Sequence, residues 1–180
     1  LALDPLGGYT RRGIDPHRDL AAINEALEEA LQSFTRAGVR AVIVAASVNY
    51  GGFDFISRAV AERFAATQTH AYTKYAGDAV APIRTQVQLT PSSGTRFTGP
   101  VYLLTSNITI SAGEILTLSM RSLPNVTHVG EPTRGAFSDV LDRVLPNGWE
   151  VSLSNEVYED PEGRVWEGRG ITPDVALTVF

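Results

Sequence analysis

Residues 100–116, PVYLLTSNITISAGEIL, constrain this chain more than any other stretch. Residues 101–104 form a short apolar run that reads as a buried strand, and a polar turn follows. Ile115, Leu116, Leu118, Met120 and Leu123 then suit a packed helix opening at Ser111. A serine is thereby delivered to a helix start, where free backbone N–H groups and the positive end of the dipole hold an oxyanion. A serine in that position can attack a carbonyl while its neighbours stabilise the developing charge. Ser is equally a preferred N-cap. The segment alone leaves both readings, cap and nucleophile, open.

The same order recurs upstream. Asp15-Pro16 supplies an N-cap and a proline at the first helical position, and Leu20, Ile23, Leu27, Leu31 and Phe34 follow at helical spacing, predicting an amphipathic helix that ends near Gly38. Residues 39–44, apolar apart from Arg40, form a run of the kind found in parallel strands covered on both faces. They lead into Ser47-Val48-Asn49-Tyr50-Gly51-Gly52 and a helix over residues 54–66. A further strand over residues 126–129 precedes Gly130-Glu131-Pro132-Thr133-Arg134-Gly135. Alternating strands and helices predict an α/β fold with a largely parallel sheet.

Residues 71–97 read as an extended surface region, with Val87 and Leu89 alternating against Gln86, Gln88 and Thr90 before the turn Pro91-Ser92-Ser93-Gly94. The last third reads as hairpins, with turns at Pro146-Asn147-Gly148 and Pro161-Glu162-Gly163, so the carboxy-terminal part is expected to be β-rich. Leu1-Ala2-Leu3-Asp4 reads as the tail of a strand.

A chain of 180 residues with 43% hydrophobic content supports one core, so a single domain over residues 1–180 is expected. The formal net charge of −5, with no basic cluster, argues against nucleic acid or an anionic membrane as the main partner and favours a small or peptide-like ligand. The absence of cysteine excludes disulfides, thiolate metal sites and a cysteine nucleophile. No metal and no cofactor are expected. A start at Leu1, with no signal peptide, predicts a piece of a longer chain.

Five segments stand in order along the chain: Asn49-Tyr50-Gly51-Gly52, Thr105-Ser106 with Ser111-Ala112-Gly113-Glu114, Gly130-Glu131-Pro132-Thr133, Leu145-Pro146-Asn147-Gly148, and residues 167–174, EGRGITPD. Together they resemble one family, the C-terminal processing or tail-specific serine peptidases, in the branch similar to the core of tricorn protease and to the interphotoreceptor retinoid-binding protein. The resemblance covers about residues 41–175. It implies a crotonase-like or ClpP-like core of βα units, a peptide or protein substrate, and a periplasmic or secreted location. It also implies an additional amino-terminal domain or a homo-oligomer.

Carried over by position, the resemblance makes Ser111 the nucleophile, the Ala112 amide one oxyanion donor, Gly51 or Gly52 the second, and Glu167 an acidic residue supporting catalysis. A glycine suits an amide that must approach a substrate carbonyl closely. The departures concern the base. The processing-protease branch places a lysine where this chain has Ala136, and the only lysine, Lys74, lies in the extended region and reads as a solvated surface residue. The tricorn branch takes a histidine from an earlier strand, and residues 1–4 offer none; His17, His70 and His128 read as structural. Ala45-Ala46-Ser47 stands where the family often shows Asp-x-Arg, which leaves the anchoring of the glycine loop unassigned. Two functions therefore stand, a serine peptidase working through an acyl-enzyme and an inactive ligand- or peptide-binding module of the same fold.

Overall fold

The structure is a computed structural model that describes residues 1–9, 15–77 and 80–180. Helix α1 (Pro16–Arg36) begins where Asp15 accepts hydrogen bonds from the amides of His17 and Arg18, at 3.1 and 3.2 Å. It buries Ile23, Leu27 and Leu31, the predicted stripe, against the core.

Strand β1 (Val42–Ala45) leads through the glycine loop into α2 (Asp54–Glu62), and β4 (Val101–Thr105) leads through residues 106–111 into α3 (Ala112–Arg121). Between these units run β2 (Thr69–Ala76) and β3 (Thr85–Leu89); beyond them come β5 (Val126–Gly130), β6 (Val140–Val144), β7 (Glu150–Ser154), β8 (Glu156–Glu159) and β9 (Val175–Ala176). The parallel sheet has the order β1-β4-β5-β9, with Val44 beside Leu103 and Leu103 beside His128. A second, antiparallel sheet has the order β3-β2-β8, and β6 pairs with β7 as a hairpin. This is the expected α/β fold with a β-rich carboxy-terminal part. Val87 and Leu89 are buried on β3 as predicted, and residues 78–79 of the predicted extended region lie outside the described residues.

Three expectations change. Helix α2 stops at Glu62 rather than near residue 66, because the carbonyls of Glu62 and Arg63 accept the amides of Ser92 and Phe97, so a neighbouring loop supplies the partners that further helix would have used. The parallel sheet is covered on one face only among the described residues: Val42 and Val44 are buried, whereas Ile43 is 58% exposed. Lys74 is half-buried, ion-paired with Glu156 at 2.9 Å and lying over the Tyr158 ring, because β8 pairs with β2 and brings Glu156 and Tyr158 across to it. That pairing joins residues some eighty positions apart, beyond the reach of local pattern.

Candidate active site

The two strand–loop–helix units set their loops side by side at one edge of the parallel sheet, as such topology requires. The loops are bonded to each other. Ser106 Oγ donates to the Ser47 carbonyl at 2.5 Å, Thr109 Oγ1 to the Ala46 carbonyl at 2.8 Å, and the Ile110 amide to the Asn49 carbonyl at 3.0 Å. Asn49, fully buried, donates through Nδ2 to the Leu3 carbonyl at 2.6 Å and accepts the Gly51 amide at 2.9 Å. These bonds anchor the loop in place of the Asp-x-Arg pair.

Ser111 stands at the N-cap position of α3 with φ 57° and ψ −127°, the only non-glycine positive φ among the described residues. Such a conformation costs of order 1–3 kcal/mol and is kept only where its surroundings hold it. The surroundings here are specific. The Ser111 amide donates to the Ala136 carbonyl at 2.9 Å, and its carbonyl accepts the amides of Glu114 and Ile115. Its hydroxyl makes no capping bond and has no hydrogen-bond partner among the described residues. The cap reading thus fails in its chemical sense: the residue occupies the position, yet its oxygen is left free.

Gly51 packs directly on Ser111. A Cβ there would lie 2.7 Å from the Ser111 Cβ and 3.1 Å from its Oγ, and φ is +88°. At Gly52 a Cβ would meet the Leu6 carbonyl oxygen, because residues 1–6 run alongside the loop. The two glycines differ as donors. The Gly51 amide is committed to Asn49, whereas neither the Gly52 nor the Ala112 amide donates to another described residue.

Glu114 is fully buried and accepts Thr133 Oγ1 at 2.7 Å, the Gly135 amide at 3.0 Å and the Ala136 amide at 2.7 Å. Burial pushes its carboxyl above the ordinary glutamate value, against the pull of these three bonds. Ser111-x-x-Glu114 has the form of a capping box, in which the acid would reach back to the serine amide. The acid instead clamps the turn 133–136 to the start of α3, and the turn returns the Ala136 carbonyl to the serine amide. This supporting role of Glu114 was missed in the sequence; the signal available was an acid set inside the apolar run Ile110 to Leu116.

Glu167 is exposed and does not contact Ser111. Its Oε2 accepts the amides of Phe137 and Ser138 at 3.0 and 3.3 Å, which places its carboxylate next along the chain from Ala136. Ala136, the position matched to the family lysine, lies against the Ser111 backbone and carries no basic atom.

None of the histidines bonds to the Ser111 hydroxyl. His17 is exposed in the first turn of α1, and His70 on β2 faces Thr73 Oγ1 at 3.1 Å. His128 is fully buried between Arg121, which donates to Nδ1 at 2.8 Å, and Thr105 Oγ1, 2.6 Å from Nε2. Burial and then the adjacent guanidinium push its pKa down to about 3. An imidazole so held is neutral and structural: with Asp174 accepting Arg121 at 3.1 Å and the His128 amide at 3.0 Å, it ties α3, β5 and the approach to β9 together. Among the described residues no group of His, Asp and Glu side chains is arranged to hold a metal ion.

The model of peptidase family S41 matches residues 18–177. Among solved structures, the chain is similar to a candidate peptidase from Parabacteroides merdae at 25% identity and TM-score 0.80, covering 99% of this chain and 53% of that one. It is similar to the photosystem II D1 C-terminal processing protease at 21% identity and TM-score 0.75, covering 98% and 41%. It is similar to mature CPAF at 13% identity and TM-score 0.79, covering 98% and 46%. The last two likenesses concern the fold. The chain spans about half the length of these structures.

Proposed function

The chain belongs to peptidase family S41, and on that premise we propose that it is the catalytic core of a serine endopeptidase with Ser111 as nucleophile. The observation that carries this reading is the state of Ser111: held at positive φ at a helix start, its hydroxyl unengaged, with the open amide of Ala112 next in the chain and that of Gly52 in the loop whose Gly51 packs on it. The Ser111 Oγ attacks the scissile carbonyl and gives up its proton to a base. The carbonyl oxygen becomes an oxyanion in reach of the Ala112 and Gly52 amides, with Gly51 shaping the loop. The tetrahedral species collapses, the amine leaves with the proton, and water releases the acyl group from Ser111.

A hydroxyl needs a base, which contributes about 10²–10⁴-fold, and no described side chain supplies one to Ser111. We place the base outside residues 1–180, on a further segment of the protein or on another subunit. Glu167 orients it: Oε2 is fixed by two backbone amides, and Oε1 remains to accept a hydrogen bond from an incoming imidazole. The absent base is also the observation that favours the second reading, a binding module with the same fold.

The test is labelling by a fluorophosphonate probe and peptide hydrolysis, in residues 1–180 and in the full-length protein. Labelling that disappears with Ser111→Ala and is faster in the full-length protein is expected, with Glu167→Gln slowing hydrolysis. Labelling that survives Ser111→Ala refutes the choice of nucleophile. No labelling of the full-length protein leaves the binding module.

A further inference from the structure

A groove of about 460 Å³ opens beside Glu167, between the β6–β7 hairpin and the start of β8. Its walls include Leu141, Leu153 and Val157, and Ser138 and Glu167 also line it. Leu141 and Leu153 are direct cross-strand partners, so their side chains stand on one face of the hairpin, turned to the groove. Leu153 is 55% exposed.

Several polar groups around this groove are already engaged. Ser138 Oγ accepts the amides of Asn155 and Glu156 at 3.0 Å and donates to the Asp139 carbonyl at 2.7 Å. Glu156 is paired with Lys74, and Glu167 Oε2 holds two amides. What the groove offers a ligand is mainly the apolar wall of Leu141, Leu153 and Val157, with Glu167 in its lining.

The groove lies near the site. Ser111 is bonded to Ala136, and Ser138 lies two residues further on, a span of at most about 7 Å. Its Ser138 wall is thus on the order of 10 Å from the Ser111 backbone, which an extended peptide covers in about three residues. We propose that this groove is a substrate subsite that receives an apolar side chain about three residues from the scissile bond, and that Leu141 and Leu153 determine that preference. The proposal rests on the peptidase reading above. Its occupant is a peptide, because the groove is lined by the carboxylate that reading has orient the base and lies within about three extended residues of Ser111.

The test uses full-length protein carrying Ser111→Ala, and fluorescent peptides of one length that differ only in bearing Leu, Ser or Asp at a single position. Binding is read by anisotropy, with Leu153→Asp, Leu141→Asp and the milder Leu153→Ala introduced in turn and each variant's melting checked. Fluorophosphonate labelling is run in parallel on proteins that retain Ser111. The leucine peptide is expected to bind at least about tenfold more tightly than the aspartate peptide, the size of discrimination an apolar pocket gives. Leu153→Asp and Leu141→Asp should each erase that preference, and Leu153→Ala should reduce it, with labelling unchanged. No binding, equal affinity for all three peptides, or a preference that survives both Asp substitutions overturns the subsite. Labelling without the preference sinks the subsite and leaves the peptidase; the preference without labelling sinks the peptidase and leaves the groove.

Discussion

Asp54, in the first turn of α2 just after the glycine loop, is expected to destabilise this protein at neutral pH, and Asp54→Asn should relieve it. Tyr158 Oη lies 2.7 Å from Glu156 Oε2 and 3.1 Å from Asp54 Oδ2. A phenol has one hydrogen and cannot donate to both carboxylates at once. A protonated Asp54 resolves the conflict by donating to the phenol, which donates to Glu156. Burial, then the charge of Asp139, accordingly push the Asp54 pKa up from 3.8 to about 6. Below pH 3.8 the carboxyl is protonated in both folded and unfolded chains and the full stability is present. As pH rises the unfolded chain ionises first, so stability is lost progressively, and the loss is complete above about pH 6. At 1.36 kcal/mol per pKa unit the loss is about 3 kcal/mol. Asn can donate to the phenol through Nδ2, as the protonated acid does, and does not ionise. Urea unfolding of native protein and Asp54→Asn, from pH 4 to pH 8, should give a stability difference that moves in favour of the variant by about 2.5 kcal/mol, mostly before pH 6.5. A difference that is flat across that range, or that moves toward the native protein, would refute the linkage.

Gly51→Ala places a methyl 2.7 Å from the Ser111 Cβ at φ +88°; labelling of Ser111 should fall by about 10² or more, the scale of a 1 Å misplacement, and a native labelling rate would contradict the packing. Glu114→Ala orphans three donors, each worth about 1–3 kcal/mol when buried. Chemical denaturation should show a loss of at least about 3 kcal/mol, with the Ser111 turn released. His128, its pKa pushed down to about 3, should show a neutral imidazole by NMR at pH 5. Its contribution to stability is full above pH 6.5 and is lost as pH falls toward 3.

Local pattern was enough for the elements. An Asp-Pro cap and a three-four spacing specify α1 because capping and amphipathic burial act within a few turns of chain. The two strand–glycine-loop–helix units specify the α/β class, and parallel topology then sets their loops on one edge, which is why Ser111, Gly51 and Ala112 were legible as neighbours. What the tertiary structure decided is what each atom does there. Whether the Ser111 hydroxyl caps its helix or stays free depends on Ala136 holding the serine amide and Glu114 holding the turn that carries Ala136. Which glycine amide remains open depends on Asn49, itself bonded to Leu3 some forty-six residues away. The partners of Lys74 and His128 likewise arrive from β8 and from residues near β9. Hydrogen bonds at a site are settled by which groups compete for the same donors, and those competitors are distant in sequence and close only in the fold.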